Sequence, residues 1–396
     1  MENTKTVVIG VTGGIAAYKA LDVISRLRKE NVCVHVIMTK SALEFVNPIS
    51  FQTLSQNMVI HDMFEEPRAW EIQHIALAKK ADLLLVVPTT ANIIGKVANG
   101  IADDMLTTTI MATVAPVIFA PAMNVNMYNN KIVQDNIKKL EDYGYDFIYP
   151  TSGRLACGDI GQGKLAGAEE IVEIIMSKLY PIKDMLGTRV LVTAGPTIAP
   201  IDPVRFITNR STGKMGYAIA REAIDRGAIV TLISGPCHEK VPFGAKVIRI
   251  NTNEEMRAAV INNYEDTDIV ISAAAVADYK PKCYSSSKIK KSENELNIEF
   301  VRDNDILKEL GLSKKKQILV GFAAESNDLL QNAKAKLLKK NLDYIVANDI
   351  SKADVGFGAD DNKVIILSKD NSPIALDKMG KKQVARELFS LINKKR

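Results

Sequence analysis

The chain has 396 residues, of which 47% are hydrophobic and 24% charged, a composition that excludes a disordered protein and favours two or three globular domains. No apolar run approaches the roughly 20 residues that span a bilayer, and no basic segment opens the chain as in a secretion signal, so we expect a cytoplasmic protein with no membrane partner. The four cysteines are widely spaced, which argues against a disulfide framework and a zinc site.

Charge is divided unequally along the chain. Residues 1–184 carry 17 basic and 20 acidic side chains, a net −3, whereas residues 185–396 carry 34 and 26, a net +8. A basic second half suits a polyanionic ligand such as a nucleoside triphosphate, although solvated surface lysines are the alternative explanation. Aromatic residues make up only 6% of the chain and do not interleave with a basic stripe, so we do not expect nucleic acid as a partner.

The first half alternates apolar strand patterns with helical patterns. Strands are predicted at residues 6–9, 32–38, 83–87, 117–120 and 146–149. Helices are predicted at residues 15–30, 41–55, 72–80, 93–98, 131–143 and 169–179. This alternation predicts a doubly wound, mainly parallel (Rossmann-like) α/β sheet, with ligands beyond the carboxyl ends of its strands.

The second half begins in the same way. An apolar strand at 189–193 runs into a turn at 195–197, as the first strand of the chain runs into the glycine pair at 13–14. Further strands are predicted at 229–233, 247–250, 269–273, 318–322, 344–347 and 363–367, with helices at 216–226, 253–264, 327–340 and 381–393. We therefore predict two doubly wound α/β domains, residues 1–184 and 185–396.

Small and hydroxyl-bearing residues follow three strands of the first half. Hydroxyl groups, an ammonium at Lys40 and the free N–H groups of a helix start all favour a phosphate. The first loop does not match G-x-G-x-x-G, and no acid follows the second strand to bind a ribose, so we infer a mononucleotide rather than NAD. Helix capping by Ser and Thr is the alternative explanation. The residues concerned are Gly13, Gly14, Thr39, Ser41, Thr89, Thr90 and Asn92.

Three residues of the first half are candidates for chemistry. His74 stands at a predicted helix start, where a structural histidine is the alternative. Asn124 follows a strand end and is placed to hydrogen-bond a ligand, although Asn also forms turns. Cys157 lies in the segment 153–164, which contains four glycines. We expect this segment to be a mobile, exposed lid whose thiol donates a proton.

The segment 13–19, the P-x-M-N-x-x-M motif that begins at Pro121, and the Ala-Cys-Gly of the lid resemble the flavin-containing cysteine decarboxylases. The resemblance implies that FMN is the mononucleotide, and that transient oxidation of a substrate thiol allows CO₂ to leave without an unstabilised carbanion. It also implies that His74 assists decarboxylation, Asn124 holds the substrate carboxylate or amide, and Cys157 is the proton donor.

Residues in the second half indicate a further nucleotide site. The segment 208–216 lacks the glycine spacing and the Ser or Thr of a P-loop, so a different small-residue anion loop is predicted before the helix that follows. Ala273 and Ala274 are small enough for a ligand to approach the backbone, and Asp278 is suited to a base, a ribose or a metal. The loop 285–291 presents lysines that either close onto phosphates or are simply solvated.

The G-P-T turn, the N-R-S-T-G segment, the A-A-V-A-D-Y run and the K-I-K-K loop resemble phosphopantothenate–cysteine ligase. The resemblance implies that CTP activates the 4′-phosphopantothenate carboxylate as an acyl-cytidylate, which cysteine converts to an amide with release of CMP. It implies that Lys288 and Asn209 are catalytic and that Arg210 contacts phosphopantothenate. The CTP-binding residues that it implies are Ala273, Ala274, Asp278, Lys288, Asp305, Ile306, Phe322, Lys336 and Lys340.

Together the two halves resemble the fused bacterial enzymes of coenzyme A synthesis. The ligase half would make 4′-phosphopantothenoylcysteine, and the decarboxylase half would convert it to 4′-phosphopantetheine. Mg²⁺ is implied by the triphosphate and would be held mostly by phosphates and water, with Asp278 as the candidate protein ligand. Trimeric flavin domains and dimeric ligase domains imply a dodecameric homo-oligomer. The alternatives are a two-domain NAD(P)-linked oxidoreductase and a non-catalytic flavoprotein regulator.

Overall fold

The computed structural model describes residues 4–63, 72–155, 158–290, 296–325, 328–349, 361–369 and 372–395. The chain divides into two compact units, Met1–Leu179 and Tyr180–Arg396. Within the described ranges, no helix is long and apolar enough to cross a membrane. The predicted proton donor Cys157 lies outside the described residues.

In its described residues, the first unit contains one large sheet and a separate two-stranded hairpin. Its strands are β1 (Thr6–Val11), β2 (Cys33–Met38), β3 (Val59–Ile60), β4 (Leu83–Thr89), β5 (Val117–Pro121), β6 (Asp146–Phe147), β7 (Thr151–Arg154) and β8 (Ile160–Lys164). A 3₁₀ helix (Ile15–Lys19) precedes the first α-helix. The helices are α1 (Ala20–Lys29), α2 (Lys40–Leu43), α3 (Pro48–Ser55), α4 (Gln73–Lys80), α5 (Ala91–Ala98), α6 (Met105–Ala112), α7 (Val125–Tyr128), α8 (Lys131–Asp142) and α9 (Ala168–Leu179).

The large sheet of the first unit has the order β3-β2-β1-β4-β5-β6, and all of its pairs are parallel. Hydrophobic cores cover both faces of this sheet, which is why β1 and β4 read as nearly continuous apolar runs. The winding reverses between β1 and β4, so a crevice opens at the carboxyl ends of these strands. The predicted doubly wound fold is confirmed for this half.

One predicted helix of the first unit is wrong in detail. The apolar pattern over 41–55 predicted a single helix, but the structure has α2 and α3 separated by a short break. Pro48 occupies the first position of α3, and the side chain of Asn47 caps that helix by accepting from Ile49 N at 3.1 Å. Proline fixes a helix start because it has no N–H to donate to the preceding turn.

The second unit contains a larger sheet and three two-stranded ribbons in its described residues. Its helices are α10 (Lys214–Asp225), α11 (Asn253–Tyr264), α12 (Ile306–Ser313), α13 (Leu329–Lys339) and α14 (Lys381–Lys395). Its strands are β9 (Arg189–Ala194), β10 (Ile198–Pro200), β11 (Phe206–Thr208), β12 (Ile229–Ser234), β13 (Lys246–Arg249), β14 (Ile269–Ser272), β15 (Tyr279–Pro281), β16 (Phe300–Arg302), β17 (Ile318–Glu325), β18 (Tyr344–Asp349), β19 (Asp361–Asn362), β20 (Val364–Ser368), β21 (Ile374–Ala375) and β22 (Met379–Gly380).

The large sheet of the second unit has the order β13-β12-β9-β14-β17-β18-β20-β21. Its first six strands are parallel and repeat the chain order of the first unit, whereas β20 and β21 are added antiparallel. Its winding reverses between β9 and β14, which places a second crevice at their carboxyl ends. The predicted mainly parallel sheet is therefore confirmed here as well.

A buried arginine fixes helix α10, whose other end reaches the second crevice. Arg226 is fully buried, and its Nε donates to Glu222 Oε1 at 2.9 Å. Its other nitrogens donate to Asp184 Oδ2 at 3.2 Å and to the Arg386 carbonyl on α14 at 2.8 Å. The guanidinium also lies over the ring of Phe389. Because this charge is paired on several sides, removal of one partner would be strongly destabilising.

Candidate active sites

The loops that follow β1, β2 and β4 meet at the carboxyl end of the first sheet. A Cβ on Gly13 would overlap the side chain of Ser41, so the two loops are in direct contact. A Cβ on Gly14 would lie 4.0 Å from Thr90 Cγ2. Thr12 Oγ1 accepts a hydrogen bond from Thr90 N at 3.2 Å, which joins the first and third loops. The structure thus brings residues of all three predicted loops together at the switch point.

The surroundings of Thr39 distinguish between ligand binding and helix capping as explanations for the hydroxyl-bearing residues in these loops. It occupies the N-cap position of α2, but its side chain makes no capping hydrogen bond. Its Oγ1 is buried and has no hydrogen-bond partner. Thr90, in contrast, caps α5 by accepting from Ile93 N at 3.5 Å. An unpaired buried hydroxyl costs roughly 1–3 kcal/mol, so the Thr39 side chain fits a polar ligand better than a structural role.

Two predicted residues of this group have different surroundings. Thr89 is fully buried, and its Oγ1 donates to Val86 O at 2.7 Å and accepts from Ala120 N at 3.1 Å. Its hydroxyl therefore stabilises the irregularity where β4 meets β5. Asn92 is exposed in the first turn of α5. Any contact of Thr89 with a ligand must come from its backbone.

The β7–β8 hairpin lies against the segment that carries Asn124. Met123 N donates to Gly163 O at 3.1 Å, which ties that segment to β8. The Asn124 side chain caps α7 by accepting from Asn126 N at 2.8 Å, and its Nδ2 donates to Asp159 Oδ2 at 2.8 Å. Asp159 was not identified from the sequence, although its position two residues after the lid cysteine was a usable signal. The hairpin therefore holds its tip beside Asn124.

Backbone hydrogen bonds join the described residues at the end of the β7–β8 hairpin. Leu155 N donates to Asp159 O at 2.8 Å, and Gly158 N donates to Leu155 O at 3.0 Å. These bonds link the described residues on the two sides of that end of the hairpin. His74 is half-buried in the first turn of α4, and among the described residues no hydrogen bond connects it with Asn124.

A cavity of about 610 Å³ opens at the switch point of the second sheet. Its lining includes the start of α10, the ends of β14 and β17, and residues of α12 and α13. All of the predicted ligase residues except Lys288 line it. Those residues are Asn209, Arg210, Ala273, Ala274, Asp278, Asp305, Ile306, Phe322, Lys336 and Lys340.

One wall of this cavity is basic. Lys336 and Lys340 are four residues apart at the end of α13, a spacing that places both on one side of the helix. Lys340 Nζ lies 2.9 Å from Asp305 Oδ1, and the same carboxylate caps α12 by accepting from Lys308 N at 3.1 Å. This arrangement orients an ammonium toward the cavity and suits the phosphates of a nucleotide.

Another part of the cavity lining is an alanine-rich segment whose backbone is held by two polar side chains. Asn209 Nδ2 donates to Ala275 O at 3.0 Å and to Val276 O at 3.1 Å. Ala277 N donates to the buried Thr197 Oγ1 at 2.9 Å, so the G-P-T turn supports this segment. The role of Thr197 was not predicted, because nothing in its local sequence shows that it pairs with a loop 80 residues away.

Helix α10 directs its N-terminus into the cavity. The helix begins at Lys214, and residues 209–215 line the cavity. A Cβ on Gly216 would lie 2.5 Å from Ala194 Cβ, so only glycine allows the first turn of α10 to lie directly on β9. Free backbone N–H groups at a helix start favour anions. The predicted small-residue anion loop lies at this helix start and stays a prediction.

Lys288 is exposed and lies outside the lining of the cavity. Its loop is nevertheless anchored, because Ile289 N donates to Asp202 Oδ2 at 3.2 Å and Arg205 Nη2 donates to Ile289 O at 3.1 Å. Asp202 Oδ1 accepts from Val204 N at 2.8 Å and Arg205 N at 2.7 Å. Burial opposes ionisation of Asp202, but these backbone donors and the Arg205 charge together lower the pKa of its carboxyl group. Neither Asp202 nor Arg205 was predicted.

Two α/β units with ligand crevices at their switch points define a two-domain nucleotide-dependent enzyme. Two family models match the chain, Flavoprotein over residues 1–180 and DNA/pantothenate metabolism flavoprotein C-terminal domain over residues 185–395. The chain belongs to the CoaBC family of bifunctional coenzyme A biosynthesis enzymes, which combine phosphopantothenoylcysteine decarboxylase with phosphopantothenate–cysteine ligase. The resemblance inferred from the sequence is confirmed, and an NAD(P)-linked oxidoreductase is excluded.

The similarity to curated relatives covers nearly the whole chain. The coenzyme A biosynthesis bifunctional protein CoaBC of Bacillus subtilis (strain 168) is 49% identical over 99% of this chain and 97% of that protein. The CoaBC protein of Borreliella burgdorferi is 44% identical over 99% of this chain and 100% of that protein. The CoaBC protein of Escherichia coli (strain K12) is 40% identical over 93% of this chain and 92% of that protein.

Proposed function

We propose that residues 1–184 form an FMN-dependent decarboxylase domain and that residues 185–396 form a CTP-dependent ligase domain. The ligase domain makes 4′-phosphopantothenoylcysteine, and the decarboxylase domain converts it to 4′-phosphopantetheine. The single observation that carries the residue assignments is the cavity of the second unit, which gathers ten predicted residues from separate loops, helices and strands. Chemistry on a small acid with a phosphate and a nucleotide requires such a large, partly basic pocket.

The three loops of the first unit hold FMN. Gly13 and Gly14 allow close approach of the backbone, and the hydroxyls of Thr39 and Ser41 hydrogen-bond polar groups of the cofactor. Thr89, Thr90 and Asn92 complete the site, Thr89 through its backbone. The unpartnered Thr39 Oγ1 supports this assignment. When bound, FMN supplies reversible oxidation of the substrate sulfur.

The residues around the β7–β8 hairpin carry the decarboxylation. Asn124, whose Nδ2 donates to Asp159, holds the substrate carboxylate or amide through its side-chain amide. His74, which lies in the half-buried first turn of α4, assists the departure of CO₂. Cys157 donates the proton that the product carbon gains.

The second unit carries out acyl activation and amide formation. Lys336 and Lys340 hold the triphosphate. The small side chains of Ala273 and Ala274 leave room for the nucleotide against the backbone. The side chains of Phe322 and Ile306 pack on the nucleotide. The carboxylate of phosphopantothenate attacks the α-phosphorus of CTP, and pyrophosphate leaves. The cysteine amine then attacks the activated carbonyl carbon, and CMP leaves.

Three residues serve the acyl group in this reaction. Asn209 and Arg210 face phosphopantothenate and the acyl-cytidylate from the start of α10. Lys288 is carried by an anchored but exposed loop and stabilises the charge that develops during cytidylyl transfer. Binding of CTP at this cavity brings Lys288 toward the phosphates.

Mg²⁺ accompanies the triphosphate in this proposal. In the part of the chain that the structure describes, no group of three His, Cys, Asp or Glu side chains is arranged to hold a metal ion. A cation that keeps several waters and binds mainly phosphate oxygens needs only one or two carboxylates. Asp278, which lines the cavity, is the protein ligand that we assign to it.

We also propose that the protein is a cytoplasmic homo-oligomer. Its flavin domains form trimers and its ligase domains form dimers, which gives a dodecamer. Strand β11 supports pairing of ligase domains, because it lies in a two-stranded ribbon and its three residues are all exposed. Phe206 is 53% exposed, and Val204 and Ile207 beside it are also exposed. An exposed apolar edge strand is a template for a second chain.

One assay tests both activities. Purified protein is incubated with phosphopantothenate, cysteine and either CTP or ATP, and CO₂, CMP and AMP are measured, with FMN followed by its visible absorption. We expect CMP and CO₂ in equal amounts with CTP. Formation of AMP at a comparable rate would contradict the nucleotide assignment, and CMP without CO₂ in yellow protein would contradict the decarboxylase assignment.

A further inference from the structure

A second cavity lies in the first unit at the base of the β7–β8 hairpin. Its volume is about 520 Å³, and it lies between the 3₁₀ helix and the start of α9. Lys19 and Lys164 line it, and none of the residues assigned to FMN does. The cavity is therefore distinct from the three loops at the switch point.

The lining of this cavity is positively charged. Lys19 is half-buried and Lys164 is exposed, and among the described residues neither forms an ion pair. The Lys164 ammonium lies along the hairpin, 3.9 Å from the position of a Cβ on Gly153. The carboxylate of Asp22 also lines the cavity, but it accepts from Arg26 Nε at 2.9 Å. Two ammonium groups without a carboxylate partner suit a phosphate.

The floor of the cavity is apolar. Val23, Leu165 and Ile171 line it and belong to the hydrophobic core beneath. In a phosphopantothenoyl group, the phosphate is attached through one CH₂ to a carbon that bears two methyl groups. A basic rim above an apolar floor is complementary to both parts of such a group.

We propose that this cavity binds the 4′-phosphate end of phosphopantothenoylcysteine during decarboxylation, with Lys19 and Lys164 as the phosphate-binding residues. The inference rests on the decarboxylase function proposed for the first unit. It adds a substrate subsite, and it makes Lys19 and Lys164 determinants of specificity for the phosphorylated substrate.

The dimensions of the hairpin agree with this placement. From Ile160 near the tip to Lys164 at the base, β8 extends about 13 Å at the usual strand rise. An extended phosphopantothenoylcysteine measures about 15 Å from phosphate to carboxylate, since it has the backbone length of four to five residues. The substrate is long enough for its reacting end to lie beside Asn124 while its phosphate lies beside Lys164.

The test compares two substrates in the full-length, FMN-loaded protein. Decarboxylation of phosphopantothenoylcysteine and of pantothenoylcysteine, which lacks the phosphate, is measured for wild type, Lys19→Gln and Lys164→Gln. We expect each variant to raise KM for the phosphorylated substrate about tenfold and to leave KM for the other substrate unchanged, as loss of one charge-assisted contact predicts. Lys164→Arg should restore most of the preference.

Lys138→Gln is the matched control, because Lys138 is an exposed lysine on α8 outside this cavity. It should change neither KM. Equal losses on both substrates, loss of bound FMN in the glutamine variants, or a wild type without preference for the phosphorylated substrate would overturn the proposal. If the wild type released CO₂ from neither substrate, the decarboxylase function itself would be refuted. The failure of this proposal and the failure of the proposed function are therefore distinguishable.

Discussion

The buried hydroxyl of Thr39 gives a residue-level test of the flavin site. Its Oγ1 has no partner in the protein, so Thr39→Val removes an unsatisfied polar group from the apo-protein and a hydrogen bond from the cofactor complex. We expect the FMN Kd to rise about tenfold while the thermal stability of the apo-protein stays the same or increases. Fluorescence titration of FMN and thermal unfolding of the apo-protein measure the two quantities.

Thr109→Val is the matched control for this substitution. Thr109 is fully buried, and its Oγ1 donates to Met105 O at 2.7 Å within α6, so its hydroxyl already has a partner. This variant should not change FMN affinity. An unchanged FMN Kd in Thr39→Val, with a lower apo-protein stability, would show that the Thr39 hydroxyl is structural.

Lys288 is the residue whose predicted role requires movement, because it is exposed and outside the cavity that gathers the other ligase residues. We expect Lys288→Gln to lower acyl-cytidylate formation by about 100-fold, as loss of a charge-stabilising group does, without affecting decarboxylation. Pyrophosphate release in the absence of cysteine measures the first step. Lys290→Gln, an exposed lysine of the same loop, is the control and should retain activity. An equal defect in both variants would indicate a general effect of loop charge.

At the scale of elements, Asp202 connects the turn before β11 with the Lys288 loop. Asp202→Ala removes the acceptor of the Ile289 N hydrogen bond and should release that loop. We expect acyl-cytidylate formation to fall on the order of tenfold because Lys288 is less well positioned. Decarboxylation by the same protein serves as the control for folding. An intact ligase rate would show that the anchor has no part in catalysis.

Ionisation of Asp202 also has a defined pH dependence. Its pKa is lowered in the folded protein, so its contribution to stability is present above the ordinary pKa of 3.8 and is lost as pH falls through the lower, folded value. Asp202→Asn lacks this contribution. Its unfolding free energy, measured by denaturant titration, should therefore decrease less steeply than that of wild type between about pH 5 and pH 3. Parallel curves would contradict the assigned shift.

Long apolar elements could be predicted from the sequence, whereas short polar ones could not. The buried strands β1 and β4 have periodicity that local sequence alone defines. Helix α6 was missed because it is short and contains three consecutive threonines, residues with low helix propensity, and its capping box pairs Asp104 with Thr107 rather than with Glu. The two-residue and three-residue strands are below the length at which alternation can be recognised.

The composition of the sites could be predicted only in part. Family motifs identified Asn209 and Lys340, but their meeting in one cavity depends on strand order. Supporting residues such as Thr197, Asp202 and Asp159 act through partners distant in sequence or through a loop conformation. Their local sequence therefore carries little information about their role, and the structure was required to find them.

At the scale of the whole molecule, the assembly that we propose can be tested at the exposed apolar surface of strand β11. We expect Phe206→Glu to separate ligase-domain pairs, because a charge on this exposed edge strand opposes pairing with a second chain. Light scattering should show a mass near that of three chains instead of twelve. Leu312→Glu, on α12, is the control, since Leu312 is 82% exposed but lies outside that ribbon. An unchanged mass in the Phe206 variant would exclude β11 from the assembly.

The outermost strands of both large sheets are short. In the first unit β3 and β6 have two residues each, and in the second unit β21 has two and β13 has four. Such strands offer few unpaired backbone groups to another sheet, so they protect a concentrated protein against fibrillar aggregation. The main sheets are thus poor starting points for open-ended stacking, which is a property that a closed, finite particle such as the proposed assembly requires.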